Sequence, residues 1–592
     1  MITRNIFRIL RELKLSGTAS EAALAASLKL SEDDVRENLQ AMRAEGLLAD
    51  FALTGQGENI LHNFKVDNAV IMAAGMSTRF APVSYARPKG LVMVRGEVLI
   101  ERQIRQLQAA GIDDITVVLG YKKEQFFYLE DKFGVKFIIN PDYHRYNNIS
   151  SLYLARHELK NTYLCSSDNY FTVNVFEPYV YKAYYSCVYN EGETDEYCVA
   201  ANAEGIIDRV AIGGHDSLIM LGHVFFSREF SRQMRGLLEK EYGCAEVREM
   251  LWEKFYLHHL ADLSMEVREY SPQEVWEFDS IDDVQSFDPE FLEHVESEIL
   301  DNIVSTLHCH KKDIRSFVPI KEGMTNLSFS FVVDNVKYVY RHPGQGTEEI
   351  ISRESEYFSQ QKACELGLDK TFIAMDADRG WKISYYLENN RDFDYHRESD
   401  VRQVIALIRK LHQARLESPQ EFSLLAEAGK MIKLIRANGR DTSLEFADFD
   451  VLSSRIAALF EQAEQDGIAR CLCHVDCYAP NFLTDGSKMY LIDWEYSGYT
   501  DPAGDLGTMI CCSDYNEAEV DGLLELYFGR KPSLLEERHW KAYIAIAAYY
   551  WFVWALYKES IGNHVGEFLY IWYKYAKKYC AVAERLYEAG VE

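Results

Sequence analysis

The pattern of apolar residues changes twice along this chain of 592 residues, near residue 68 and again near residue 313. A chain of this length is too long for one hydrophobic core, and ordinary domain sizes predict roughly three or four domains. We place the segments at 1–66, 67–290 and 291–592, and divide the last one at about residue 388 into a β-rich lobe and a helical lobe. The sequence therefore predicts a multidomain protein of mixed α/β and α+β class.

Residues 1–66 show three amphipathic helical segments, followed by LLADFALTGQGENIL, which we interpret as a strand, a turn and a return strand. This order resembles a winged helix-turn-helix, for which DNA binding is one interpretation. The third helical segment, however, contains Arg36 and Arg43 against five acids: Glu32, Asp33, Asp34, Glu37 and Glu45. Because a helix that enters the major groove needs the opposite balance, we favour a docking or dimerisation module, through which the chain could form a homo-oligomer.

Charge and cysteine content limit the classes of partner. The formal net charge is -29 at pH 7, which disfavours non-specific attraction to nucleic acid or to an anionic membrane surface. The twelve cysteines are scattered and the N-terminus has no signal-peptide pattern, so we expect reduced thiols in the cytoplasm. The apolar run 543–557 is shorter than the roughly 20 residues that span a bilayer and predicts a buried helix.

From residue 68 onwards, short apolar strands alternate with helical segments. NAVIMAAG, ITVVLGY, VKFIIN and TYLCSSDNYF are the four clearest strands. This alternation predicts a largely parallel, Rossmann-like sheet, whose ligands bind beyond the carboxyl ends of its strands.

The first of these strands runs into a loop of small residues, AVIMAAGMSTRF, which is followed by Pro88-Lys89. Such a loop lets backbone N–H groups approach a triphosphate without obstruction by Cβ atoms, and nearby cations can neutralise the phosphates. Our candidates for nucleotide binding are Ala73, Ala74, Gly75, Arg79 and Lys89, of which Arg79 and Lys89 are also candidate catalytic cations.

With the further segments NPDYHRYNNISSLYLARHEL, CSSDNYF and WEFDSIDD, residues 68–288 resemble the sugar-phosphate nucleotidyltransferase superfamily, and within it the bacterial CTP:phosphocholine cytidylyltransferases. The resemblance implies that Asp168, Glu277 and Asp279 hold Mg2+ between CTP and the attacking phosphate. The alternatives are a turn residue for Asp168 and a solvated strand face for the other two acids.

A phosphocholine site also needs aromatic faces around the quaternary ammonium. Tyr146 and Asn148 are our candidates for substrate binding. Tyrosine is so abundant, with 38 residues, that the sequence does not choose among the further candidates: Tyr143, Tyr153, Tyr170, Tyr184, Tyr185 and Tyr189.

The strongest pattern in the chain is LCHVDCYAPNFL followed by LIDWEYSG. It has the residues of a phosphotransferase catalytic loop, with Asp476 to orient the substrate hydroxyl and accept its proton, and Asn481 and Asp493 to bind Mg2+. A zinc site at Cys471, Cys473, His474 and Cys477 is the alternative, but their spacing matches no structural zinc pattern well.

The segment LIDWEYSGYTDPAGDLG resembles bacterial choline kinases within the aminoglycoside phosphotransferase and choline kinase family, over about residues 313–587. The resemblance implies a bilobal, protein-kinase-like domain that binds ATP. Its implied phosphate-covering loop contains Gly323, Thr325 and Asn326. Glu356 is the implied acidic partner of the ATP-binding cation, which is Arg341 here although many kinases have Lys. Asp505 is implied as structural support for the catalytic loop.

Aromatic residues are the argument for choline as the acceptor. Trp551 and Trp554 are three residues apart and hence on one face of a helix, and Trp offers the best surface for a cation. Trp494 and Tyr496 flank the metal-binding loop and complete our candidate set for substrate binding. An aromatic core stripe is the alternative, and the acids Glu495, Asp501 and Asp505 leave an aminoglycoside-type pocket open.

Together the two resemblances predict consecutive steps: phosphorylation of choline by ATP, then Mg2+-dependent cytidylyl transfer from CTP to phosphocholine with release of pyrophosphate. The predicted partners are thus small molecules, without nucleic acid or membrane. Ethanolamine, another amino alcohol or a sugar phosphate is an alternative substrate, and a DNA-binding regulator with enzyme-like sensor domains is an alternative function.

Overall fold

The structure is a computed structural model, and it describes residues 2–17, 20–320, 326–344, 350–439 and 446–589. The chain divides into two compact units, the first made of residues 1–304 and 310–312 and the second of residues 305–309 and 313–592. Among the described helices, none combines the length and the apolarity that a bilayer span requires.

Residues 2–66 form four short helices and a two-stranded hairpin. The helices are Arg4–Ser16, Glu21–Leu28, Glu32–Ala44 and Gly55–His62, and the strands are Leu48–Ala49 and Ala52–Leu53. The return strand expected within TGQGENIL is wrong, because that segment is helical. The Thr54 hydroxyl caps this helix by accepting a hydrogen bond from the Gly57 N–H at 3.1 Å. Gly57 also lies against the Leu47 carbonyl, where a Cβ would come within 2.2 Å of the oxygen.

These N-terminal helices pack against the sheet of the same unit. The Tyr181 ring lies 5.3 Å from the Phe7 ring and 5.6 Å from the Phe64 ring, between ring centroids. Arg11 and Glu177 form an ion pair at 2.9 Å. The N-terminal segment is therefore part of the first unit and not a separate body.

A seven-stranded sheet forms the centre of the first unit. In spatial order its strands are Glu266–Tyr270, Tyr184–Ala201, Ile207–Phe226, Thr162–Ser166, Asn68–Ala73, Ile115–Leu119 and Lys136–Ile139. The last four are parallel to one another. Asn68–Ala73 is central and packs into apolar clusters on both faces of the sheet, which explains its unbroken apolar sequence.

The remaining elements of this unit surround the sheet. Two short strand pairs lie beside it, Met93–Val94 with Glu97–Val98 and Asn169–Phe171 with Val275–Glu277. The helices are Val83–Ala86, Leu99–Ala109, Tyr128–Phe133, Ile149–Ala155, Arg228–Glu241, Ala245–Arg248, Trp252–His258, Ile281–Phe287 and Glu298–Leu307.

The two longest strands of the sheet form a hairpin whose tip folds back along its own stem. Cys198 pairs both with Ala211, across the tip, and with Ile219, in the stem. Gly192 and Gly213 have φ angles of 81° and 77°, a backbone region that glycine enters without steric cost, and they lie where the two strands reverse.

The second unit begins with an antiparallel sheet of five strands. In spatial order they are Arg315–Pro319, Asn326–Val333, Val336–Pro343, Lys382–Tyr385 and Phe372–Met375. Helix Arg353–Glu365 connects the third of these strands to the last.

Helices dominate the rest of the second unit. They are Glu398–Gln413, Leu424–Ala437, Phe449–Gln465, Ala503–Cys511, Glu517–Phe528, Leu534–Ser560 and Phe568–Ala589. Two strand pairs lie among them, Cys471–Cys473 with Gly498–Thr500 and Phe482–Thr484 with Met489–Leu491. The apolar run 543–557 is buried inside one of these helices, which confirms that prediction. The two units together confirm the predicted α/β and α+β class.

Candidate active sites

The first candidate site lies where the parallel strands of the first unit end. A cavity of about 210 Å3 opens at the carboxyl ends of Asn68–Ala73 and Thr162–Ser166. The structure brings together at this cavity most of the residues predicted for nucleotide and substrate binding in this unit, together with the predicted metal ligand Asp168: Ala73, Ala74, Gly75, Lys89, Tyr146 and Asn148. Arg79 does not line the cavity, and its exposed side chain reaches the acids at the rim instead.

Three carboxylates and two cations meet beside this cavity. Asp168, Glu277 and Asp279 place oxygen atoms within 4.8 Å of one another. The Lys89 Nζ lies 2.8 Å from Asp168 Oδ2 and 3.7 Å from Asp279 Oδ1, and Arg79 Nη1 lies 3.2 Å from Asp279 Oδ2. The acids are far apart in sequence and are joined by the short pair Asn169–Phe171 with Val275–Glu277, in which Glu277 faces Asn169.

The electrostatics of the three acids favour a bound cation. Burial would raise the pKa of Asp168, but the Lys89 ammonium holds it below its ordinary value. Burial, and then the charges of Asp168 and Asp279, raise the pKa of Glu277 to about 8. Asp168 Oδ1 is buried and accepts no hydrogen bond within the described ranges. An orphaned carboxylate oxygen in an all-oxygen donor set fits Mg2+, so these residues could hold it.

Glu253, which the sequence did not single out, is a further acid at this site. The Asn148 side chain connects it to the cavity, because its Nδ2 donates to Glu253 Oε2 at 3.2 Å and its Oδ1 accepts from the Trp252 N–H at 2.7 Å. Burial raises the pKa of Glu253 to about 7. The Trp252 ring stacks on Tyr185 with centroids 5.8 Å apart. These two rings belong to the hydrophobic core of the unit, so Glu253 is the residue of this group that adds negative charge beside Asn148.

Tyr146 is less open than the sequence suggests. Arg145 and Arg248 lie 5.2 and 5.7 Å from the centre of its ring, and Arg248 donates to its hydroxyl at 3.4 Å. The ring is therefore already paired with protein cations in this structure.

The folded-back hairpin reaches the same site. Burial and the charge of Asp279 raise the pKa of Glu196, and burial and the charge of Glu253 raise that of Tyr197. Both residues lie in the folded-back part of the hairpin, so this part lies near the acids of the site. This proximity arises from a long-range fold of the strands, and no local sequence signal indicates it.

The second candidate site is built on the loop that follows Cys471–Cys473. Asn481 Nδ2 donates to Asp476 Oδ2 and to the Asp476 carbonyl, both at 2.9 Å. Asp505 accepts hydrogen bonds from the backbone N–H groups of His474 and Val475 at 3.1 and 2.6 Å, and thereby supports the loop. Val475 and Asp493 have φ angles of 70° and 65°, an unusual backbone region for residues other than glycine.

A cluster of ion-paired cations and acids lies next to this loop. Arg341 contacts Glu356 at 2.5 Å, Asp493 at 2.6 Å and Glu495 at 3.7 Å. Asn326 Nδ2 donates to Glu495 Oε2 at 2.9 Å. Two further cations that sequence reasoning missed, Lys382 and Arg353, contact Glu356 at 3.7 and 2.8 Å. Gly323 and Thr325, predicted as phosphate-binding residues, lie outside the described residues.

The acids of this site differ in proton affinity. Burial and the charges of Asp493 and Glu495 raise the pKa of Asp476 well above its ordinary value. Burial and Asp493 raise the pKa of Glu495 to about 7. Burial would also raise the pKa of Asp493, but Arg341 and Lys382 keep it below its ordinary value. The amide oxygen of Asn481 and the carboxylate of Asp493 are hard donors that fit Mg2+ beside Asp476.

A cavity of about 110 Å3 adjoins these acids and is walled by aromatic rings. Trp551 and Trp554 both line it, together with Tyr496 and with Trp572, which the sequence did not single out. Trp554 Nε1 donates to the Tyr496 hydroxyl and Trp551 Nε1 to the Thr508 hydroxyl, both at 3.0 Å. These bonds fix the rings around the cavity, whose polar wall includes Asp476.

The structure does not bring Trp494 to this cavity, although the sequence predicts it there. The Trp494 ring is fully buried against His474, 4.6 Å away between centroids, and its Nε1 donates to the Leu491 carbonyl. Asp493 and Glu495 both line the cavity, whereas the Trp494 ring between them packs into the hydrophobic core of the second unit.

The zinc alternative finds no support in the geometry. His474 Nε2 is within 2.9 Å of the Ile492 carbonyl. In the part of the chain that the structure describes, Cys471 and Cys473 cluster instead with His412, whose ring nitrogens already pair with Asp505 and Tyr527.

Comparison with known families covers both units. The family model of the MobA-like NTP transferase domain matches residues 69–253, and that of the phosphotransferase enzyme family matches residues 317–540. The first match contains the cavity loop and Asp168. The second contains Arg341, Asp476 and Asp493, whereas the tryptophans of the second cavity lie beyond its end.

Individual relatives resemble one unit each. Choline-phosphate cytidylyltransferase of Streptococcus pneumoniae is 33% identical over 37% of this chain and 96% of its own length. 2-Aminoethylphosphonate cytidylyltransferase of Lancefieldella rimae is 33% identical over 38% of this chain and 94% of its own length. The crystal structure of choline kinase LicA from Streptococcus pneumoniae is 25% identical, with a TM-score of 0.42, over 48% of this chain and 98% of that chain.

Proposed function

Because the chain belongs to the nucleotidyltransferase family of choline-phosphate cytidylyltransferase and also contains a domain of the phosphotransferase enzyme family, we propose that it makes CDP-choline from choline in two steps. The observation that carries the choice of choline is the aromatic cavity beside Asp476, with Tyr496, Trp551, Trp554 and Trp572 in its walls. These rings and that of Tyr478 surround a small cavity, which suits a quaternary ammonium because this group has no N–H to donate.

The presence of the phosphotransferase domain also bears on the substrate of the first unit. An aminophosphonate, the substrate in the name of one relative, already has its phosphorus group and needs no phosphorylation. An alcohol, in contrast, does need to be phosphorylated. A chain with both domains therefore favours an alcohol that is phosphorylated and then activated.

In the phosphotransferase step, the choline hydroxyl oxygen attacks the γ-phosphorus of ATP and the bond to ADP breaks. Asp476 orients this hydroxyl and accepts its proton, and its hydrogen bond from Asn481 fixes the carboxylate. Asn481 and Asp493 would hold Mg2+, which would supply positive charge for the phosphate oxygens. The aromatic rings hold the ammonium end, so the hydroxyl end faces Asp476.

In the cytidylyl step, a phosphocholine oxygen attacks the α-phosphorus of CTP and pyrophosphate leaves. Lys89 and Arg79 neutralise phosphate oxygens near the loop of small residues. Asp168, Glu277 and Asp279 would hold Mg2+, which supplies further positive charge. Glu253 faces the side of the site where Asn148 lies and attracts the ammonium of the substrate.

Mass spectrometry of the products tests this proposal. The full chain is incubated with ATP, CTP and Mg2+ and with choline, ethanolamine or 2-aminoethylphosphonate as the third substrate. We expect CDP-choline as the main product and phosphocholine as its precursor when CTP is omitted. A CMP conjugate of 2-aminoethylphosphonate formed without ATP, and no CDP-choline from choline, would overturn the proposal.

A further inference from the structure

Two buried cations face each other in the five-stranded sheet of the second unit. Arg341 and Lys382 are direct partners on antiparallel strands, and they are 5% and 8% exposed. Like charges directly opposite in a sheet are destabilising, and burial adds to the cost of each charge. The pair therefore has to be balanced by nearby acids.

Arg341 is balanced tightly. Its guanidinium contacts Glu356 at 2.5 Å and Asp493 at 2.6 Å, and it also donates to the Gly380 carbonyl at 3.3 Å. Glu356 is further held by Arg353 at 2.8 Å. These are the short distances expected of charge-assisted hydrogen bonds. Arg341 is thus committed to protein partners.

Lys382 is balanced only loosely. Its Nζ lies 3.6 Å from Asp493 Oδ1, 3.7 Å from Glu356 Oε1 and 3.5 Å from Gln360 Oε1. Each distance is well beyond the roughly 2.7–2.9 Å of a charge-assisted bond. A buried ammonium whose contacts within the described ranges are all this long gains more from an added anion than the guanidinium of Arg341, which already has short contacts to two acids.

The position of Lys382 indicates which anion it would bind. Asp493 and Arg341 line the cavity that contains Asp476, so Lys382 lies directly behind the acid that would face the phosphates. We propose that Lys382 is a phosphate-binding residue of the ATP site, and that its ammonium moves from Asp493 to a terminal phosphate oxygen of bound ATP while Arg341 stays on Glu356. This inference rests on the proposed phosphotransferase function and adds a residue to it.

Binding of nucleotides in EDTA, without Mg2+ or acceptor, tests the role directly. Titration calorimetry compares ATP with adenosine for the wild-type chain, Lys382→Met and Lys382→Arg. We expect Lys382→Met to weaken ATP binding about tenfold or more, because a charge-assisted contact is lost, and to change adenosine binding less than twofold. Lys382→Arg keeps the charge and should recover most of the ATP affinity.

Lys337→Met is the matched control. Lys337 lies on the same strand as Arg341, and its Nζ contacts the Tyr386 ring at 3.8 Å. Lys337→Met should leave the affinities for ATP and adenosine unchanged. Circular dichroism and thermal unfolding of each variant report whether the second unit has folded.

A wild-type measurement covers the case in which a Lys382 variant does not fold. An acyl-phosphate derivative of ATP transfers its acyl group to an amine beside the terminal phosphate and releases ATP. Peptide mapping should find the acyl group on Lys382, with protection by excess ATP.

Equal loss of ATP and adenosine binding in Lys382→Met, unchanged ATP binding, or acylation only at other lysines would overturn the role of Lys382. Failure of the wild-type chain to bind ATP would instead overturn the phosphotransferase function itself.

Discussion

Replacing Trp551 by leucine removes one aromatic face of the cavity beside Asp476 and keeps an apolar side chain in its place. Four rings remain around the cavity, those of Tyr478, Tyr496, Trp554 and Trp572. One cation–π contact contributes about 0.5–2 kcal/mol. At 25 °C this corresponds to an increase in the KM for choline of about twofold to thirtyfold.

The turnover number should change far less than the KM. Asp476 and its hydrogen bond from Asn481 do not involve Trp551, so the proton acceptor keeps its position. The KM for ATP should also stay within about twofold, because the cations above the loop are untouched. A coupled assay of ADP release with choline and ATP varied separately measures all three quantities.

Trp540→Leu is the matched control, since Trp540 lies on the same helix, Leu534–Ser560, but packs against Phe528 and does not line the cavity. It should reduce stability without a selective effect on choline. If Trp551→Leu raises the choline KM no more than Trp540→Leu does, the rings are core packing and the choline site is elsewhere.

Three further changes test the two-site scheme. Asp168→Ala should abolish cytidylyl transfer and leave choline phosphorylation within about twofold, measured by chromatography of both products; loss of both in a folded chain would contradict separate sites. Asp476→Asn should lower the turnover of phosphorylation roughly 10²-fold with little change in the choline KM, and a normal turnover would exclude it as the proton acceptor. Because the pKa of Glu277 is raised to about 8 and Mg2+ competes with its proton, the apparent Mg2+ affinity of the first site should increase from pH 6.5 to pH 8.5. Isothermal titration should find a weaker pH dependence in Glu277→Gln, and an identical one would refute this cause.

The sequence predicted those parts of the sites in which the functional residues are close along the chain. Asp476, Asn481 and Asp493 fall within one short stretch, and their order alone indicates their roles. Trp551 and Trp554 follow from helical spacing. In each case the local backbone determines which side chains point in one direction.

The sequence could not predict residues that the tertiary structure brings in from distant segments. Trp572 comes from the last helix, Glu253 from a short helix after the hairpin, and Lys382 from a strand that pairs with that of Arg341. Each is an ordinary residue in its own segment. Trp494 is the opposite case. Its position next to Asp493 in the sequence predicts a place at the cavity, but its ring is buried away from the cavity and donates to the Leu491 carbonyl.

The same arrangement of charges occurs in both units and is how a chain of net charge -29 would accommodate the polyanionic nucleotides of the proposed function. In each site, a buried cation holds one carboxylate in the ionised form, Lys89 on Asp168 and Arg341 on Asp493. A second acid beside each pair, Glu277 or Glu495, has a raised pKa. The raised pKa keeps a proton on the second acid until a cation binds and displaces it. Repulsion between the acids of each site is therefore reduced before Mg2+ and the nucleotide bind. Local pairing of this kind, and not the net charge of the chain, determines which ligands each site accepts.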